Sequence, residues 1–148
     1  MPDPAANFQL MAADLEEVGF TVEATGAPWT PDFLDAAQSG GAPIYLLGWT
    51  GDFGDPDNFL GTFFQGPDPA WGFEDQAIFD LLDQAEAETD VDARTALYED
   101  ANRQIMDLLP GLPYATTEAA LALRPGIEGF TPSPVSNEVF NLLTVSDS

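Results

Sequence analysis

Cysteine, histidine and lysine are absent from this 148-residue chain, and arginine occurs three times. Without cysteine there is no disulfide framework, no thiol nucleophile and no thiolate metal site. Without histidine, zinc ligation and general-base catalysis lose the side chain they use most often. Positive charge is scarce in absolute terms: 26 acidic residues leave a formal net charge of −23. A nucleic-acid partner is thereby excluded, because phosphate recognition needs a basic patch. Long apolar runs are missing too, and none approaches the roughly twenty residues of a membrane span. Met1-Pro2-Asp3-Pro4 is acidic and proline-broken where a secretory signal would be basic and then apolar.

What remains is the composition of a folded domain. With 45% apolar and 11% aromatic residues, the chain is too rich in core-forming side chains for disorder along its whole length. Its size suits one core. Acid in place of lysine keeps a surface soluble at high salt, where screening shortens self-repulsion. A salt-adapted source is therefore expected, with acidic drift in a lysine-poor, high-GC genome as the competing reading.

The periodicities predict an α/β fold. Phe8, Met11, Leu15 and Val18 recur at helical spacing, and Gly19 follows as a cap, so residues 4–18 read as a helix. Phe20 to Thr25 alternates like a half-buried strand. Thr30-Pro31-Asp32 starts a second helix with Phe33, Leu34, Ala36 and Ala37 inward, ended by Ser39-Gly40-Gly41. Ile44 to Leu47, between Pro43 and Gly48, reads as a buried strand. The order helix, strand, helix, strand predicts a parallel, right-handed crossover. Farther on, Phe59, Leu60, Phe63 and Phe64 mark a short helix, and Gln65 to Gly72 a surface loop. Phe73, Ile78, Phe79, Leu81, Leu82 and Ala85 form the apolar face of a helix ending near Thr89. Asp90 or Asp92 starts a longer helix whose stripe Ala93, Leu97, Ala101 and Ile105 reads as core. Leu109-Pro110 ends it.

The loop from Gly48 to Phe59 is the chemically distinctive stretch. It opens at the end of a predicted strand, where ligands of open α/β sheets sit, and its glycines, proline and Asx residues give tight turns. An aromatic wall, Trp49, beside a held anion, Asp52, suits an ammonium group. Asp55 before Pro56 reads as a helix start, and Asp57 likewise as structural. Asp52 has no helix of its own to cap, which favours a functional role. A calcium loop through Asp52, Asp55, Asp57 and Asn58 lacks both the usual spacing and the closing bidentate Glu. A carboxylate hydrolase with Asp52 and Asp55 as acid and base needs two opposed environments, yet both residues share one loop. An interaction module is a further alternative, supported by the apolar run Val139 to Val145, an exposed edge prone to aggregation.

The run GWTGDFGDPDNFLGTFF, residues 48–64, resembles the signature segment of family 5 of the ABC-transporter solute-binding proteins, the dipeptide- and oligopeptide-binding class. The helix start at Asp92 and Arg94 with Leu97-Tyr98, the Pro110-to-Pro113 turn and Gly126-Ile127-Glu128-Gly129-Phe130 are similar to later segments of that family. The resemblance implies the carboxyl-terminal portion of a two-lobed periplasmic-binding-protein-like fold. Residues 1–118 would belong to the second, ligand-binding lobe, and residues 119–148 to a crossover, begun by Ala119 to Leu123, and a return segment that docks on a first lobe lying outside this chain.

It implies capture of di- or oligopeptides for import outside the cytoplasm, periplasmic or at the cell surface, with permease subunits as partners and no catalysis, cofactor or metal. Another amine-bearing solute, a metal complex or a sugar is the alternative ligand. Asp52 would pair with the peptide's α-amino group and Trp49 would wall the pocket, with Gly48, Thr50 and Gly51 beside them. Trp29 would be a second wall, unless it simply packs under its own loop. Leu46 stands where some relatives carry a ligand-contacting Arg, so a partner for the peptide's carboxylate is expected elsewhere.

Overall fold

The computed structural model describes residues 4–116, 121–133, 135 and 138–146. The start at residues 1–3 and part of the predicted crossover, residues 119 and 120, lie outside these. The described elements are helices α1 (Pro4–Glu17), α2 (Leu34–Gln38), α3 (Asp57–Phe64), α4 (Gln76–Ala87) and α5 (Val91–Leu108), and strands β1 (Ile127–Glu128) and β2 (Thr144–Val145). The chain divides into two compact units. One runs up to Gly48 and takes in Gly66–Gln76; the other takes in Trp49–Gln65 and the chain from Ala77 onward.

In the first unit α1 ends where expected, with Gly19 at φ +97 and its amide on the Glu16 carbonyl. No α1 residue is buried; Phe8, Met11 and Leu15 are half-buried, and Val18 is exposed. A wide turn, Trp29–Phe33, leads into α2, which buries Ala37. Aromatic rings make the centre of this unit. Trp29 stacks on Phe33, Phe33 meets Tyr45 edge-on, and Tyr45 meets Trp71. The Trp71 indole N–H donates to the Tyr45 hydroxyl, and burial raises the Tyr45 pKa despite that bond. Asp68 and Phe73 exchange both backbone hydrogen bonds across a tight turn, and Asp68 Oδ1 also accepts from Ala70 N–H.

Two predicted strands are corrected. Phe20 to Thr25 and Ile44 to Leu47 pair with nothing among the described residues and form no ladder. Alternation and apolar runs signal which side chains could be half-buried or buried, but a strand exists only where a second chain segment takes its amides and carbonyls. The parallel crossover inferred from them goes with the strands, and Ile44 is 62% exposed. The described part of the chain is helix-rich with little sheet.

The second unit holds the larger core. Ile78, Leu82 and Ala85 of α4 are fully buried, with Phe79 close to it; complete burial of an Ile or Leu side chain is worth about 1.5–3 kcal/mol. Helix α3 packs on α5. Asp90 starts α5, its Oδ1 accepting from Ala93 N–H at 2.9 Å, and Leu109 ends it in the left-handed region with its amide on the Ile105 carbonyl. The stripe is rotated from the expected one. Tyr98, Ala101 and Ile105 are buried, whereas Ala93 is exposed and Leu97 half-buried. The reason is Arg94, which occupies the inner line one turn before Tyr98. At the end of the chain β1 and β2 pair antiparallel, Ile127 opposite Val145. Gly129 permits this, since a Cβ there would strike the Leu142 carbonyl oxygen. Val139, Phe140 and Leu142 stay exposed.

Candidate ligand-binding loop

Residues 49–59 fold around one amide. Asn58, the second residue of α3, is 5% exposed, and its Oδ1 accepts from Asp52 N–H at 2.7 Å and from the Trp49 indole N–H at 3.4 Å. Trp49 also meets Phe63 of α3, five residues beyond Asn58, with ring centroids 5.4 Å apart and nearly perpendicular. Gly51 is buried between these groups; a Cβ on it would come within 2.9 Å of the Phe59 ring. Trp49 is thus held by an edge contact and a hydrogen bond while remaining 44% exposed. The Asp52 side chain is exposed, and its carboxylate meets no partner among the described residues.

Asp55 has the opposite fate. Its Oδ1 accepts from Asp57 N–H at 2.9 Å at the start of α3, and both its oxygens receive the Arg94 guanidinium at 2.8 Å. The Arg94 hydrogen bonds hold the Asp55 carboxyl below its ordinary range. Asp57 lies between negative neighbours: partial burial first, then Glu86 and Asp55, push its carboxyl up, and its buried Oδ1 has no hydrogen-bond partner. This arrangement bears on two alternatives. A general acid needs a raised pKa, and Asp55 has a lowered one. A calcium loop needs free oxygens, and those of Asp55 and Asn58 are already taken.

Of the six residues singled out from the sequence, Trp49, Thr50, Gly51 and Asp52 share the loop of the second unit. Gly48 and Trp29 belong to the first unit, where Trp29 stacks on Phe33 at 5.3 Å and stays 59% exposed. Two organising residues were not singled out for these roles. Asn58 lies in a run of Asx turn residues and looks like one of them, and Arg94 is 39 positions from its partner.

The family profile described as bacterial extracellular solute-binding proteins, family 5 Middle, matches residues 2–71. This stretch is thus similar to family 5 of the bacterial extracellular solute-binding proteins. Similarity to individual proteins extends over nearly all of the chain. It is 30% identical over 151 residues to di/tripeptide-binding protein 4 of Pseudomonas aeruginosa, covering 98% of this chain and 28% of that protein. It is 28% identical to the dipeptide-binding protein of Escherichia coli, covering 97% of this chain and 28% of that protein. With heme-binding protein A of Haemophilus influenzae the identity is 29%, over 94% of this chain and 26% of that protein. The chain therefore spans under a third of the length of these relatives. Similarity to family 5 implies a two-lobed periplasmic-binding fold for a complete protein of this kind. No described helix is long and apolar enough to cross a membrane.

Proposed function

We propose that this chain is part of a family 5 receptor that captures di- or oligopeptides outside the cytoplasm and delivers them to the permease of an ABC transporter. Residues 1–118 would contribute to the ligand-binding lobe, and residues 119–148 would return to the other lobe. Asp52 receives the peptide's α-ammonium, Trp49 walls the chamber, and Thr50 and Gly51 line the approach. The observation that carries this reading is the contrast within one loop. Asp55 is neutralised by Arg94, while three residues earlier the Asp52 carboxylate is left exposed beside an anchored indole. A fixed anion next to an aromatic face attracts an ammonium through charge and through the ring quadrupole. The di/tripeptide-binding names among the relatives support the same ligand class.

Calorimetry on the full-length receptor tests it. A free dipeptide should bind about ten- to a hundredfold more tightly than its N-acetylated form, the value of about 1.5–3 kcal/mol for a hydrogen bond to a charged group. Equal affinities would remove Asp52 from the role. A second reading, a metal-complex solute, draws on the similarity to heme-binding protein A. Saturable haem binding with no peptide binding would favour it.

A further inference from the structure

We propose that Asn58 is the positioning residue of this site, setting through one carbonyl oxygen where both the Asp52 backbone and the Trp49 indole stand. This inference rests on the peptide-receptor reading for its ligand. The observation is geometric: a single buried Oδ1 accepts two donors from two successive turns of the loop, one from the main chain at 2.7 Å and one from the indole at 3.4 Å. Asn58 is itself fixed, because it sits in the first turn of α3, where its amide donates to the Asp55 carbonyl and its own carbonyl accepts from Thr62 Oγ1 at 2.9 Å. Asp55 is in turn gripped by Arg94 of α5. Position therefore passes from a packed helix to Asn58, and from Asn58 to the two groups that would meet the ligand.

Without this acceptor, Asp52 N–H and the indole N–H would both seek water, and the exposed carboxylate would lose its fixed bearing relative to the indole. Gly51 leaves no slack for a substitute. The space over its Cα is filled by the Phe59 ring and by Asn58 Oδ1 at 3.3 Å from a Cβ. An aspartate at position 58 would keep an acceptor of the same reach, whereas a leucine would keep the volume and lose the acceptor.

The test compares wild type, Asn58→Leu and Asn58→Asp in the full-length receptor. Two quantities are read: hydrogen exchange at the Asp52 amide, and the ratio of affinities for a free dipeptide and its N-acetylated form. Asn58→Leu should speed exchange at Asp52 by about tenfold or more and lower the preference for the free amine by about tenfold, as loss of one buried hydrogen bond implies. A residue that mattered for folding alone would weaken both peptides equally and leave their ratio intact. Asn58→Asp should retain slow exchange at Asp52. An unchanged ratio in Asn58→Leu, or fast exchange at Asp52 in folded Asn58→Asp, overturns the proposal. If wild type prefers neither peptide, the ligand reading fails separately, and the exchange rates alone decide the role of Asn58.

Discussion

Arg94 and Asp55 meet through two parallel hydrogen bonds of 2.8 Å. The same guanidinium donates Nε–H to the Ala85 carbonyl at 3.0 Å, reaches the Tyr98 hydroxyl and lies over the Tyr98 ring at 4.8 Å. One side chain thus joins the end of the candidate loop, the last turn of α4 and the body of α5. Lysine offers no such fork.

Arg94→Lys should therefore lower the thermal midpoint, and Arg94→Ala should lower it more. The pH dependence has a definite sign. Asp55 has a lowered folded-state pKa, so its contribution is present above the ordinary carboxylate value of about 4 and is lost as pH falls through the folded value. Circular dichroism melts should show the gap between wild type and Arg94→Ala at neutral pH and its narrowing on acidification. A gap that widens in acid would contradict the pairing.

Asp57 has the opposite sign. Its folded-state pKa is raised by burial and by Glu86 and Asp55, so ionisation costs stability, and the cost grows as pH climbs from about 4 through the folded value. Asp57→Asn should raise the midpoint at neutral pH and have little effect below about pH 4, where wild type is protonated in both states. Because Asp57 is a partly buried residue of α3 and not of the exposed turn, peptide affinity should change less than about twofold.

Asp52→Asn should leave the melting profile nearly unchanged, since its carboxylate is exposed and unpaired among the described residues. Affinity of the full receptor for free dipeptide should fall by about ten- to a hundredfold. Equal losses from Asp52→Asn and Asp57→Asn in calorimetry would make Asp52 a turn residue.

With a formal charge of −23, self-repulsion should weaken as the Debye length drops from about 10 Å at 0.1 M to about 3 Å at 1 M salt. Melts in a potassium chloride series should show a rising midpoint. A flat series would leave acidic genome drift as the source of the composition.

The helices were legible because their signals are local. Phe8, Met11 and Leu15 with Gly19, Pro31 with Ser39-Gly40, and Asp90 with Leu109-Pro110 each mark an element within a few residues of its observed ends. The strands were misread because Ile44 to Leu47 carries the right side chains and no information about a neighbour to pair with. The site was half legible. Trp49 and Gly51 announce a constrained aromatic loop, and Asp55-Pro56 announces a helix start. That Asn58 faces inward while Asp52 faces out depends on which Asx side chain the Trp49 ring and the α3 packing enclose, and no spacing rule distinguishes them. Arg94 falls beside the expected stripe on α5, and only the folded loop gives it a partner.

The anchors of this fold are mostly uncharged donors. Gln65 places its amide between Asp83 and Glu86 at 3.0 and 2.9 Å, main-chain N–H groups hold Asp68 and Asp90, and Glu88 accepts from the amides of Thr89 and Asp90. A dipole touching a carboxylate is not a pair of opposite ions, so dissolved electrolyte has little to screen between them. These dipolar contacts are thus little affected by ionic atmosphere, unlike the Arg94–Asp55 ion pair and the repulsion that opposes compaction. A molecule built in this way should tighten in brine while its dipolar joints hold.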